Sequence, residues 1–262
     1  MIGITGGNGV LGKILVHKYN QKNQKISVFA GDITIFDEVN SWLSENQITQ
    51  IVHLASKVAV NDVKNNLPHA YDVNISGTIN LIKAIECNTL KVYFFYASSS
   101  HVYKSSKFPL AETDIAEPIN SYGLTKYVSE MVLNDYKKNK PEFGLCIGRI
   151  FSFFHESQNP PFLYPNLRQR FQNDDLKKPF HLFGALSTRD FLNAEEVCDI
   201  IMKLVAKKQV GTINIASGTS MRIKDFVEKL APIKLNIIYD IDEKQNHLNA
   251  NTGLLNKILE ND

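Results

Sequence analysis

Short apolar runs alternate with amphipathic stretches from the start of the chain to about residue 150. Residues 2–5, 26–29, 51–54, 92–97 and 145–150 are brief, apolar and rich in β-branched or aromatic side chains, which predicts buried strands. Between them apolar residues recur at helical spacing: Phe36, Val39 and Leu43; Ile75, Ile79, Ile82 and Ile85; Leu124, Val128, Met131 and Val132. Strand and helix in alternation predict right-handed crossovers, and therefore an α/β fold with a doubly wound parallel sheet. Beyond residue 150 the rhythm breaks, and Asn159, Pro160 and Pro161, with a polar run at 172–175, predict irregular or lid-like chain. Order then returns as a helix bearing Val197, Ile200, Ile201, Leu204 and Val205, a strand at 212–216, a helix at 223–230 and a strand at 235–239. The expected organisation is a large unit over 1–150 and a small α/β region over 151–262, with the helix near 194–207 and the strand near 212–216 returning to the first unit.

Composition adds limits. With 44% hydrophobic and 21% charged residues, the chain can bury a sizeable core without disulfides or metals. The net charge is +2 and the lysines are dispersed, so no nucleic-acid footprint is visible. Cys87, Cys146 and Cys198 are far apart and set in apolar segments, which reads as neither a disulfide framework nor a metal site. No stretch approaches the roughly 18 consecutive apolar residues of a membrane span. A strand-like start replaces a signal peptide, and the expected setting is cytoplasmic.

Gly6, Gly9 and Gly12 follow the first predicted strand and open a helix carrying Ile14, Leu15 and Tyr19. Glycine permits a tight turn and close backbone approach to phosphate, and the helix aims free N–H groups and a positive dipole end at the pyrophosphate of a dinucleotide. A glycine-rich connecting turn is the plainer alternative. Asp32 stands where an acidic residue bonds the adenosine ribose, although the segment 26–33 is compressed enough for Asp32 to face the adenine instead. No Arg or Lys occurs between residues 26 and 40, which weakly disfavours a 2′-phosphate pocket and leaves NAD or NADP undecided.

Three Tyr-x-x-x-Lys pairs occur: Tyr103/Lys107, Tyr122/Lys126 and Tyr136/Lys140. Tyr103 leads into what reads as loop, and Lys140 precedes Pro141, where a helix should have ended. Only Tyr122 falls in the first turn of a patterned helix, with Ser121 as cap and Lys126 one turn along the same face. An ammonium about 5 Å from a phenol, at an effective dielectric of about 20, favours the phenolate by roughly 3 kcal/mol, or about two pKa units. Tyr122 is therefore expected to exchange a proton near neutral pH. The run Ser98, Ser99 and Ser100 comes off a buried strand at the sheet edge where ligands bind, and one of these hydroxyls is placed to bond a substrate oxygen.

The ordered series of motifs resembles the extended short-chain dehydrogenase/reductases, a group of nucleotide-sugar epimerases, dehydratases and reductases. The likeness runs through Thr5 and Gly6 to Gly12, Gly31-Asp32-Ile33, His53-Leu54-Ala55-Ser56, Asn74 to Leu81, Ser98 to Tyr103, Tyr122 to Lys126, Arg189-Asp190-Phe191 and Asn214 to Gly218. It implies a Rossmann fold and homodimerisation through the helices of Ile75–Ile85 and Leu124–Val132. It also implies catalysis by Ser99, Tyr122 and Lys126, with cofactor contacts from Gly6, Asn8, Gly9, Val10, Gly12, Asp32, Ile33, Leu54, Ala55, Ser56 and Asn74 as well as Tyr122 and Lys126. Substrate contacts are implied for Ser100, His101, Phe151, Ser152, Phe162 and Arg189. Arg189 carries over as a pyrophosphate ligand, with a structural salt bridge as the alternative; His101 is either a proton donor or a packed histidine.

Dehydratases of the group carry acidic residues after the catalytic hydroxyl, where this chain has Ser100 and His101. The segment after Arg149, with Ser152 in place of the usual asparagine, is more similar to reductases of nucleotide-linked 4-keto-6-deoxyhexoses. The expectation is NAD(P)H-dependent reduction of such a C4 ketone in surface-polysaccharide sugar synthesis. A nucleotide-sugar 4-epimerase is the enzymatic alternative, and a non-catalytic dinucleotide sensor the alternative of another class.

Overall fold

A computed structural model describes residues 1–260. Its first half runs β1 (Ile2–Thr5), α1 (Val10–Gln21), β2 (Ile26–Val28), α2 (Phe36–Glu45), β3 (Gln50–His53), α3 (Val60–Asn65), α4 (Leu67–Tyr71), a π turn at Asp72–Ser76, α5 (Gly77–Cys87), β4 (Tyr93–Ser99), β5 (Ser106–Leu110) and α6 (Ser121–Asn139). It continues with β6 (Gly144–Ile150), β7 (Ser152–Phe154), α7 (Leu163–Asn173), β8 (Phe180–His181), β9 (Thr188–Asn193), α8 (Ala194–Ala206), β10 (Gly211–Ile215), β11 (Ser220–Arg222), α9 (Ile223–Leu230), β12 (Ile237–Ile238), β13 (His247–Ala250) and α10 (Gly253–Glu260).

Six strands form a parallel sheet in the order β10-β6-β4-β3-β1-β2. Period-2 alternation divides β4 between the two faces: Tyr93, Phe95 and Ala97 join the layer containing α1 and α8, while Phe94 and Tyr96 join the layer of α2, α5 and α6. Burial on both sides explains the near-continuous apolar runs. The chain moves outward from β1 to β2 and returns on the other side to β3, so the order reverses at β1. That reversal opens a crevice at the carboxyl ends of β1 and β3. The compressed segment before residue 33 supplies a single edge strand, β2, as its length required.

A second sheet, β11-β9-β13-β5 with β7 on β9, stands beyond the carboxyl end of the first, and β8 and β12 pair separately. β5 belongs to this second sheet, whereas α8 and β10 pack with the first. Asn193 caps α8, and Glu196 reaches back to the Asn193 N–H at 3.1 Å.

Three local expectations are corrected. The stretch after Tyr103 is strand β5 rather than loop, because its backbone pairs with β13, distant in sequence. The stretch after residue 150 is not uniformly irregular: β7 pairs with β9, and α7 packs Leu167 into an apolar cluster with Phe180, Phe226 and Val227. Only Ile237–Ile238 of the expected strand at 235–239 pairs.

Candidate active site

The loop between β1 and α1 is built around absent side chains. Gly6 has φ +72°, and a Cβ there would lie 2.6 Å from the Ala55 nitrogen; one on Gly12 would lie 2.2 Å from the Gly6 carbonyl oxygen. The Gly9 N–H donates to that same carbonyl at 3.0 Å, and no side chain caps α1. Asn8 and Val10 lie in the turn and first helical position beside these glycines. A pyrophosphate fits this arrangement: a backbone cradle that a methyl group would fill, at an uncapped helix N-terminus. Gly12→Ala is expected to weaken dinucleotide binding more than tenfold in a fluorescence titration while the far-ultraviolet circular dichroism is retained; unchanged affinity would contradict the cradle.

Across the crevice, Leu54, Ala55 and Ser56 follow β3. The Thr5 hydroxyl accepts from the Ala55 N–H at 3.2 Å and pairs with His53 Nδ1 at 2.6 Å. His53 is sealed in the core, so desolvation pushes its pKa down to about 3 and it is a neutral structural link. Asn74 locks this loop to α6: its Oδ1 accepts from the Lys57 N–H at 2.7 Å and the Ser56 hydroxyl at 3.0 Å, while its Nδ2 donates to Thr125 Oγ1 at 2.8 Å. Asp32 is exposed, and its carboxylate accepts from the Thr34 N–H and hydroxyl, which lower its pKa. The Ile33 side chain is 5% exposed and packed in the core against Gly77, so any cofactor contact there falls to its backbone.

The carboxyl end of β4 carries Ser99, and α6 brings Tyr122 and Lys126 to it. Desolvation dominates at the Tyr122 phenol, against the opposing effect of the Ser99 hydroxyl, and pushes it up to about 12. Burial thus acts on the phenol in the direction opposite to the expected activation by Lys126. The Lys126 ammonium lies 4.4 Å from the centre of the Tyr96 ring and 3.4 Å from Ser56 Oγ, turned towards the loop after β3. Burial lowers Lys126 itself to about 7 against the opposing field of Glu130. A buried ammonium that is half-neutral near pH 7 gives the phenol little help. The helix cap also differs from expectation: Asn120, not Ser121, takes that position, its side chain accepting from the Gly123 N–H at 2.8 Å.

Ser100 is buried in the turn after Ser99, and the His101 ring meets Tyr122 edge-to-face at 5.6 Å. Ser152 opens β7 opposite Phe191, and Phe162 immediately precedes α7. Phe151 is 3% exposed and packed with Val102, Tyr103 and Ala216. Arg189 donates to the carbonyls of Thr188 and Asn246 at 2.8 and 2.7 Å, and no carboxylate pairs with it among the described residues. Its positive field reaches His101. Asp190 instead accepts from the backbone of Ser217 and Gly218, each at 2.8 Å, and holds the turn after β10.

Motif reading missed the ion pair below the site. Glu130 Oε2 accepts from Arg149 Nη2 at 2.7 Å, and Glu130 Oε1 accepts from the Ser98 hydroxyl, all three residues being buried. The available signal was position: Glu130 is one turn beyond Lys126, and Arg149 lies near the end of a buried strand.

A family model described as GDP-mannose 4,6 dehydratase matches residues 4–257. GDP-6-deoxy-D-talose 4-dehydrogenase of Aggregatibacter actinomycetemcomitans is 31% identical, the match covering 94% of this chain and 83% of the relative. UDP-glucose 4-epimerase of Mycoplasma genitalium is 26% identical over 90% of this chain and 83% of its own. Among solved structures, RMD from Pseudomonas aeruginosa complexed with NADPH superposes with a TM-score of 0.86 at 20% identity, covering 98% of this chain and 91% of that one.

Proposed function

We propose, because the chain belongs to the GDP-mannose 4,6-dehydratase family of short-chain dehydrogenase/reductase-like enzymes, that it is an NAD(P)-dependent nucleotide-sugar enzyme reducing the C4 ketone of a nucleotide-diphosphate 4-keto-6-deoxyhexose. The observation that carries reduction over dehydration is the pair after Ser99. Dehydration needs an acid and a base there to move a proton and expel water; Ser100 is buried, and His101 is held neutral by burial and Arg189, its pKa pushed down to about 4. The relative acting as a 4-dehydrogenase on a GDP-linked 6-deoxyhexose supports redox chemistry at C4.

The glycine loop would hold the pyrophosphate of a nicotinamide dinucleotide, which would supply the hydride. Tyr122 then delivers its proton to the C4 oxygen, a direction suited to a phenol whose pKa burial has raised. Ser99 donates a second hydrogen bond at the same oxygen. Lys126, on the loop side, holds the nicotinamide ribose, and Arg189, lacking a carboxylate partner among the described residues, holds the substrate pyrophosphate. Exposed Ile79, Leu124 and Met131 on α5 and α6 support pairing of two copies. The place of such a product is cytoplasmic synthesis of surface-polysaccharide sugars.

The epimerase of Mycoplasma genitalium favours a second reading, in which the same groups oxidise and re-reduce C4 on a retained cofactor. The protein mixed with NADH or NADPH and a panel of dTDP-, GDP- and UDP-linked sugars separates the readings. Stoichiometric loss of reduced-cofactor absorbance with 4-keto sugars supports reduction. Turnover without net consumption indicates epimerisation, and silence with cofactor bound indicates a sensor.

A further inference from the structure

The residue that starts α6 also touches the histidine facing Tyr122. Asn120 Oδ1 accepts from the Gly123 N–H at 2.8 Å, and a backbone N–H only donates, so this arm of the amide is the oxygen. The other arm is therefore the NH2 group, and it lies 2.9 Å from His101 Nδ1. A group that only donates demands a lone pair opposite it, so His101 Nδ1 is the unprotonated nitrogen and the ring proton sits on Nε2.

The backbone holds the ring in place. The His101 N–H donates to Ser99 Oγ at 3.2 Å, its carbonyl accepts from the Ile119 N–H at 3.1 Å, and a Cβ on Gly123 would lie 2.1 Å from that carbonyl oxygen. His101 Nε2 has no protein partner among the described residues, yet it is not among the sealed partnerless polar atoms, which are the Tyr19 and Tyr96 hydroxyls. It is an unsealed donor on a ring 5.6 Å from that of Tyr122.

We propose that Asn120 is a positioning residue that locks His101 as its Nε2–H tautomer, and that His101 presents this N–H to an acceptor oxygen of the hexose held beside Tyr122. The proposal rests on the nucleotide-sugar reading for its ligand, whereas the tautomer lock stands on the geometry alone. The cap of the catalytic helix thereby also sets sugar recognition. Burial and the nearby Arg189 cation keep the ring neutral, so the contact binds oxygen without removing a proton from carbon.

Asn120→Asp tests this, since aspartate caps a helix as well as asparagine but offers Nδ1 an acceptor in place of a donor. Nitrogen–proton correlation spectra of histidine-labelled protein, recorded above the pH at which the ring titrates, are expected to show Nε2–H in the parent and Nδ1–H in the variant. Affinity for NAD(P)H should stay within a few-fold, while the affinity for nucleotide sugar by calorimetry, and kcat/KM, fall at least tenfold. Asn120→Ser keeps a cap and removes the Nδ1 partner; a mixture of tautomers with an intermediate loss of sugar affinity is expected. Nδ1–H in the parent protein overturns the lock whatever the substrate. A reversed tautomer with unaltered sugar affinity overturns the recognition role and leaves the reductase reading standing.

Discussion

Tyr122→Phe is expected to lower kcat by about 10²–10⁴-fold, the range supplied by a positioned proton donor, and to leave NAD(P)H affinity within a few-fold. The substitution removes only the hydroxyl and keeps the ring that packs edge-to-face on His101. Single-turnover reduction followed by absorbance, with cofactor binding followed separately by fluorescence, measures both quantities. A variant retaining more than a tenth of the parent rate removes Tyr122 from the proton-transfer role.

Removing one member of the buried ion pair is the change with the largest expected effect on stability. Arg149 and Glu130 side chains are 8% and 2% exposed, so Arg149→Met strands a carboxylate and should cost about 3–5 kcal/mol in denaturant unfolding. Much of that loss is the desolvation of an unpaired charge, so Glu130→Leu/Arg149→Met together should recover part of it. The single variant should also disturb activity, because Glu130 accepts from Ser98, the neighbour of Ser99, the proposed hydrogen-bond donor to the substrate. A loss below about 1 kcal/mol, the scale of an exposed pair, would contradict the assigned burial.

The sheet was legible because its central strands are buried on both faces: Ile4, Ile51, Phe94, Phe95 and Ile147 leave no polar alternation to confuse strand with helix. The glycine loop was legible because Gly6 and Gly12 each stand where a side chain would collide with backbone. β5 was hidden, since only Leu110 among its residues is buried and its pairing partner is distant in sequence. α7 was hidden by Pro165 and by polar residues around few apolar positions. At the site, residue types were readable but electrostatics were not. The Tyr122–Lys126 spacing is as expected, yet its consequence depends on burial, which pushes both groups towards their neutral forms. The cap was displaced by one residue because asparagine and serine serve equally at that position. Only the structure shows that Asn120 has a second arm reaching His101.

The central claim is that a hydride moves from a nicotinamide to C4 of a nucleotide-linked 4-keto sugar. Reduced cofactor carrying deuterium at both nicotinamide C4 positions, incubated with the protein and the 4-keto sugars of the panel, tests it most directly through mass and NMR analysis of the product. The expected result is one deuterium at sugar C4 for each cofactor oxidised. Turned-over sugar with no deuterium at C4, or cofactor that keeps its full label through turnover, would contradict the account.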